Sequence, residues 1–319
     1  MPTVVTRRDD LMRKDIQIAV IGAGMMGHGI ALTLARAGQN VRITDPTENS
    51  RSTVIDRIFH SLKAMGETCD RIPSILAKID IFETMSDAVK DAEFVFEAAP
   101  EKMDLKRRIF VEIEEHAPET CILASNTSVM PITEIMADIR LKNRALGTHW
   151  WNPPHMIPLV EVVSTKWTDD AAAEDMMALL DDAGKTPVRV KKDVPGFIGN
   201  RLQHALWREA VSLVENDICD AESVDTVIKA SFGRRLAVLG PLENADLVGT
   251  DLTLDIHSNV LSDLESRQGP SPYLAKLVEE GRLGMKTGEG FRKWTEEEAD
   301  QVRGRVARHL TRLDGILLD

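Results

Sequence analysis

The stretch that most constrains this chain begins at Ile16, where a short apolar run (Ile-Gln-Ile-Ala-Val-Ile) ends in Gly22-Ala23-Gly24-Met25-Met26-Gly27. An alanine-rich helical pattern follows at once, from His28 to Arg36. Apolar run, Gly-x-Gly-x-x-Gly and helix read as strand, tight turn and helix. The first glycine permits the turn, the second admits a pyrophosphate close to the backbone, and the third lets helix and strand pack closely. Gly22, Ala23, Gly24, Met25, Met26 and Gly27 thus form the expected phosphate cradle, at a helix N-terminus with free N–H groups and positive dipole. A second strand, Val41-Arg42-Ile43-Thr44, ends in Asp45, 23 residues after Gly22. An acid there accepts hydrogen bonds from a ribose diol and repels a 2′-phosphate, so NAD is expected over NADP.

Strand and helix patterns continue to alternate. A helical, mixed-charge stretch spans 50–77, strands are expected at 79–82, 91–97 and 120–124, and a helix at 104–115. A strand leading into His149, a return strand at 157–163, a helix at 169–183 and a strand at 187–190 complete a parallel sheet with crossover helices. Lys191-Lys-Asp-Val-Pro195-Gly196 reads as a hinge. Beyond it the pattern is helical, at 197–215, 222–231, 242–263, 273–280 and 295–313, with no strand signal and no repeat. The expected organisation is a disordered leader at 1–15, a Rossmann-type doubly wound α/β domain at 16–192 and an all-α domain at 193–319. Much of the apolar surface of the last is expected to meet a second copy, giving a homodimer.

Composition narrows the partners. A net charge of −12 argues against nucleic acid and anionic membranes. No apolar run approaches a membrane span, and 1–15 lacks the apolar segment of a signal peptide. Cys69, Cys121 and Cys219 are odd in number and far apart, and read as buried free thiols in a reducing cytosol. The chain is expected to be cytoplasmic. No histidine pair stands at ligand spacing with a third donor, so no metal site is expected.

Hydride transfer to a nicotinamide requires a base for the hydroxyl proton, and histidine suits this near neutral pH. His149 stands at a strand end on the ligand side of the sheet, and Glu161 lies on the return strand, where the turn can bring it against the imidazole. Such a carboxylate fixes the tautomer and stabilises imidazolium. Spacing alone leaves open a histidine satisfied by a backbone carbonyl and a glutamate in a surface pair.

Several stretches taken together resemble the 3-hydroxyacyl-CoA dehydrogenase family: Glu97-Ala-Ala-Pro-Glu101-Lys-Met-Asp-Leu-Lys106, Ser125-Asn-Thr-Ser128, His149-x-x-Asn152-Pro153, Leu159-Val-Glu161-Val and Pro195-Gly-Phe-Ile-Gly-Asn200-Arg201. So do Gly240-Pro-Leu-Glu243 and Lys286-Thr-Gly-Glu-Gly290-Phe291. The resemblance runs from about residue 16 to 294, with the motifs in family order. It implies a Rossmann domain followed by a helical dimerisation domain, and NAD-dependent oxidation of a hydroxyl β to a carboxylate or acyl-CoA thioester. It implies His149 as base, Glu161 as its partner, and Ser128 and Asn200 on the reacting oxygens. Glu101, Lys106, Ser128, Asn152 and Lys286 would surround the nicotinamide end of NAD. Helix capping is the alternative for Ser128 and Asn200, and a solvated charge the alternative for Lys106 and Lys286. His155 has no role by resemblance and reads as a loop residue.

Three departures from the fatty-acid members bear on substrate. The segment between Asp45 and Ile79 is short, and Arg51, Arg57, Lys63, Arg71 and Lys78 are scattered as on a solvated face. The loop His-Trp-Trp-Asn-Pro-Pro-His-Met-Ile-Pro-Leu resembles the small-acid branch: L-gulonate 3-dehydrogenase (λ-crystallin), L-carnitine dehydrogenase and a pyridine-carboxylate dehydrogenase. Arg234-Arg235-Leu-Ala-Val-Leu-Gly240 does so too. Arg235, or else Arg201 or Arg208, is therefore expected to hold a substrate carboxylate as a bidentate fork, unless it is a surface arginine at a helix end. Trp150 and Trp151 are expected to wall the pocket, with core filling as the alternative, and His204, Trp207, Arg208 and Val211 share a helix face with Asn200. Oxidation of a hydrated aldehyde on a small aromatic acid, and a non-catalytic crystallin-like role, are the alternative functions.

Overall fold

A computed structural model describes residues 15–317. The expected leader therefore lies, but for Asp15, outside the described residues. The chain divides into two compact units, Met1–Arg201 and Leu202–Asp319.

The first unit alternates strands and helices in chain order: β1 (Gln17–Ile21), α1 (Met25–Arg36), β2 (Asn40–Thr44), α2 (Glu48–Ser52), α3 (Val54–Ala64), α4 (Ile72–Leu76), β3 (Ile79–Phe82), α5 (Met85–Val89), β4 (Phe94–Glu97), α6 (Met103–His116), β5 (Ile122–Ser125), α7 (Ile132–Ile135), β6 (Ala145–Trp150), β7 (Leu159–Ser164), α8 (Asp170–Asp182) and β8 (Thr186–Val190). The expected helical stretch at 50–77 is three helices. Gly66, at φ 79°, ends one turn, and Pro73 sits at the start of the next helix.

The strands form one sheet in the order β3-β2-β1-β4-β5-β6-β7-β8. Every neighbouring pair is parallel except β6 and β7. The order reverses between β1 and β4, and the crevice at their carboxyl ends is where such sheets take a ligand.

Side chains alternate across the pleat, so each strand feeds two cores. Ile18, Val20, Val41, Ile43, Phe96 and Trp150 pack with Ile30 and Leu34 of α1 and Leu179 of α8. Ala19, Ile21, Val95, Leu123 and Val163 pack on the other face with Phe110 and Ile113 of α6 and with Phe197. At about 1.5–3 kcal/mol for each fully buried large apolar side chain, these two layers dominate the stability of the unit.

The second unit is helical. The helix α9 (Gly199–Glu215) runs into it, followed by α10 (Ala221–Ala230), α11 (Pro241–Val248), α12 (Thr250–Val260), α13 (Pro272–Glu279) and α14 (Glu296–Leu317). The expected helix at 242–263 is broken at Gly249, whose φ of 102° no helix accommodates. Isolated bridges Gly284–Glu289 and Glu289–Lys293 make a small turn structure where no strand pairing was expected. The units divide at 201/202, against an expected 192/193, because the backbone of Ile198 and Gly199 is hydrogen-bonded to Glu161 in the sheet.

The thiols are free, but only Cys121 is fully buried. Cys69 is exposed in the turn ahead of α4, and Cys219 is half-buried. Burial pushes the Cys121 thiol up to about 12, which leaves it unreactive near neutral pH.

Candidate active site

The glycine turn has the shape its sequence requires. A Cβ on Gly27 would lie 1.7 Å from the carbonyl oxygen of Gly22, so only glycine lets α1 start this close to β1. Nothing lies within 4 Å of a Cβ on Gly24, and α1 has no side-chain cap and no acid in its first turn. Its leading N–H groups are therefore left for an anion. Asp45 follows β2: Oδ2 accepts from Ala23 N at 2.8 Å and Oδ1 from Thr47 N at 2.8 Å, so the acid also fixes the glycine turn.

Two basic residues depart from the expected solvated face. The Arg57 guanidinium, on α3, donates to the carbonyls of Ala23 (2.6 Å), Ser50 (2.9 Å) and Gly24 (3.4 Å), and Arg51 donates to the Asp45 carbonyl at 2.6 Å. Carbonyls turned away from the helix N–H groups accept these cations, an arrangement invisible in the spacing of the arginines. Lys63 lies 4.6 Å from the Phe59 ring centroid, and Arg71 pairs with Glu67.

At the other end of the crevice, the antiparallel register sets His149 directly opposite Glu161. His149 Nδ1 lies 2.7 Å from Glu161 Oε2, and both side chains are buried. A carboxylate only accepts, so Nδ1 carries the proton and Nε2 keeps its lone pair. The other Glu161 oxygen accepts from the N–H groups of Ile198 (2.8 Å) and Gly199 (3.0 Å). Consecutive left-handed residues, Gly196 (φ 75°) and Phe197 (φ 51°), turn those groups toward it. Burial raises the Glu161 pKa, but the hydrogen bonds from His149, Gly199 and Ile198 outweigh it and hold the carboxyl below its ordinary range. Phe197 and Trp151 flank the imidazole, with centroids 5.6 and 5.3 Å away.

Asn200, next in the chain, donates from Nδ2 to the Ser128 carbonyl at 2.9 Å. It lies inside the first turn of α9, so it is not the helix cap, and the helix after Ser128 is instead preceded by Pro131. The Ser128 N–H donates to Glu101 Oε1 at 2.6 Å, and Thr127 Oγ1 donates to the same oxygen at 3.1 Å. Lys106 is not a solvated helix lysine: it is 1% exposed, and its Nζ contacts Glu97 Oε1 at 2.7 Å, the Ala99 carbonyl at 3.1 Å and Glu101 Oε2 at 3.5 Å. The fully buried Glu97 also accepts from Ser125 Oγ at 2.6 Å and Ala99 N at 2.7 Å. A buried lysine needs such a partner, because an isolated ammonium in the interior costs several kcal/mol. The motif reading passed over the role of Glu97. The signal was a carboxylate closing the apolar strand Phe94-Val-Phe-Glu97.

His149, Glu161, Asn200, Ser128, Glu101 and Lys106 are thus brought into one hydrogen-bonded neighbourhood. Asn152 is exposed in the loop after β6. Trp150 does not wall a pocket. It is 2% exposed and packs edge-on against Phe96 in the opposite core, because adjacent strand residues point to opposite faces and His149 takes the site side. Trp151, past the strand end, is the one of the pair beside the imidazole. Arg201 is exposed, donating weakly to the Pro195 carbonyl. Arg235 and Lys286 belong to the second unit. Arg235 is exposed after the 3-10 turn Phe232–Arg234, and Lys286 lies between the bridged residues Gly284 and Glu289.

Known proteins resemble this chain over both of its units. Residues 17–194 match the 3-hydroxyacyl-CoA dehydrogenase NAD-binding domain, and residues 196–294 match the C-terminal domain of the same family. The chain is 35% identical over 310 residues to the 5-formyl-3-hydroxy-2-methylpyridine 4-carboxylate 5-dehydrogenase of Mesorhizobium japonicum, covering 94% of this chain and 97% of that one. It is 37% identical over 286 residues to a probable 3-hydroxybutyryl-CoA dehydrogenase of Bacillus subtilis, covering 88% and 98%. A crystal structure of a 5-formyl-3-hydroxy-2-methylpyridine 4-carboxylic acid 5-dehydrogenase, described as an NAD+-dependent dismutase, superposes with a TM-score of 0.85 at 34% identity over 96% of this chain and 99% of that one. With both halves of its sequence matched and a glycine turn that fits a dinucleotide, the chain belongs to the NAD-dependent 3-hydroxyacyl-CoA dehydrogenase family.

Proposed function

We propose that this chain oxidises a secondary hydroxyl β to a carboxyl function, with His149 Nε2 as the base that takes the hydroxyl proton. The observation that carries this reading is the buried His149–Glu161 pair, whose tautomer leaves Nε2 free while the carboxylate stabilises the imidazolium formed. The bound nicotinamide supplies the hydride acceptor. Ser128 and Asn200 bind the reacting oxygens, and Glu101, Lys106, Asn152 and Lys286 hold the nicotinamide end. Residues 22–27 would hold the pyrophosphate, and Asp45 would take the adenosine ribose. An intact base, partner and glycine turn favour catalysis over a purely structural role.

The substrate we favour is a small free hydroxy acid over an acyl-CoA. The basic residues between Asp45 and Ile79 are engaged with loop carbonyls, an acid and an aromatic ring, which supports the absence of a phosphate clamp for coenzyme A. A relative aligned over 310 residues is named for a free pyridine carboxylate. Arg235 is our carboxylate receptor. We further propose a cytoplasmic homodimer formed through the second unit, whose helices α10, α11 and α12 contain no buried residue. Among the described residues no helix is long and apolar enough to cross a membrane.

The test follows NADH formation with free L-3-hydroxybutyrate, L-gulonate and L-carnitine against L-3-hydroxybutyryl-CoA. Turnover of a free acid alone, with KM raised by Arg235→Met, is expected. Turnover of the thioester alone overturns the free-acid reading, and an unchanged KM in Arg235→Met removes that arginine from the site.

A further inference from the structure

The loop after β6, from Trp151 to Pro158, carries Asn152 and leaves the strand that bears His149. Nothing in its own backbone pattern makes it a regular element, yet it is fastened from two sides. Lys185, between α8 and β8, is 7% exposed and donates from Nζ to the carbonyls of Pro154 (2.5 Å) and Ile157 (2.9 Å). The same ammonium lies 5.2 Å from the centroid of Trp150, the residue next to His149. From the other side the loop is seated on α1. A Cβ on Gly29 would come within 2.5 Å of Pro154 Cγ and 3.1 Å of His155 Nδ1, so the helix surface is bare where the loop lies on it. The His155 ring lies 5.9 Å from that of His28, and burial, with His28 and Lys185 nearby, pushes its pKa down to about 4. His155 is therefore neutral near pH 7, and no charge opposes the seat. The helix that presents its N-terminus to the pyrophosphate is also the helix on which the loop rests.

We infer that Lys185, acting with the seat at Gly29, is a positioning residue that clamps the Trp151–Pro158 loop and so holds Asn152 against the nicotinamide half of the cofactor. This rests on the assignment of Asn152 made above. The clamp joins the two halves of the dinucleotide site: α1 orients the phosphates, and the loop pinned to it orients the nicotinamide. A lysine ammonium suits this task because it donates to two carbonyls while its stem lies along apolar surface.

The test is calorimetric titration of NADH and of ADP-ribose, which lacks the nicotinamide, into the wild type, Lys185→Met and Lys185→Arg. Lys185→Met is expected to weaken NADH about tenfold, the loss of roughly one hydrogen bond from a displaced Asn152, while ADP-ribose changes less than about twofold. Lys185→Arg is expected to recover part of the NADH affinity. Equal weakening of both ligands, or of neither in a protein with unchanged thermal unfolding, overturns the clamp. If Lys185→Met does not fold, Pro154→Gly loosens the seated side and must give the same NADH-selective loss; its failure to do so also overturns the clamp. Wild-type protein that binds NADH no more tightly than ADP-ribose overturns the placement of Asn152 instead.

Discussion

The two units obey the same rule of hydrophobic periodicity and reach opposite outcomes. In the first, both faces of an eight-stranded sheet are covered, and the buried carboxylates Glu97 and Glu161 are satisfied. Glu97 is met by Lys106, Ser125 and a backbone N–H, and Glu161 by His149 and two more. In the second, helices with equally clear apolar stripes leave Leu242, Leu247 and Leu254 exposed at 80%, 72% and 68%. Among the described residues of that unit, Leu277 and Ala299 are the buried apolar side chains. An amphipathic stripe states that a face must be covered, and it is silent about which chain covers it. A sheet with crossover helices closes its own core, whereas a helical array can leave that closure to a second copy.

If this contrast is right, chemistry is lost through the first unit and assembly through the second. His149→Ala should lower kcat by about 10²–10⁴ while leaving NADH binding and sedimentation unchanged, measured on the same preparation. Glu161→Gln should cost about 10² in kcat, because the amide can present the wrong group to Nδ1 and no longer stabilises imidazolium. A variant that kept wild-type rates would remove the pair from the mechanism.

Leu254→Asp tests the other side. Loss of a leucine that the proposed second copy would cover, at about 1.5–3 kcal/mol, corresponds to roughly 10–100-fold weaker association. Sedimentation should show monomer at concentrations where the wild type is a dimer. Hydrogen exchange on the intact chain would sharpen the point: protection in α10–α12 should fall on dilution, while β1–β8 should not change. Concentration-independent protection in both units would break the comparison.

The smallest effect concerns acid. Burial raises the pKa of Glu114, but donation from the Arg140 and Leu141 backbone and nearby Arg144 and Arg140 outweigh it, so it lies below its ordinary range, as does Glu161. A depressed carboxyl contributes stability that is fully present above the unfolded value of about 4.3 and is lost as pH falls through the folded one. The urea midpoint should therefore decline below about pH 6.5, where the unfolded chain but not the folded one protonates His155, and drop further below about pH 4, the last step less steeply in Glu114→Gln.

Legibility followed the range of the interaction. The glycine turn with Asp45 was readable because strand, turn and helix are contiguous and each residue's job is local. The His149–Glu161 pair was half readable: the spacing allowed it, and the antiparallel register put the two side chains opposite one another. Trp150 was misjudged for the same reason that His149 was not, since the strand period of two sends neighbours to opposite faces. The buried Cys69 and the solvated Arg57 failed because burial and partners are set by segments distant in sequence, whereas the unbroken helix at 242–263 failed locally, at Gly249.

By itself, then, the sequence determined the strand–helix alternation of the first unit and the dinucleotide turn, because periodicity and glycine placement act within a few residues, and its motifs carried the resemblance to the family. Tertiary structure alone decided that Lys106 is buried against Glu97, that Arg57 closes the back of the glycine turn and that Lys185 ties the loop after β6. The contacts of Arg57 and Lys185 join segments distant in the chain, and a buried charge such as Lys106 finds its partner only once the fold has excluded water around it.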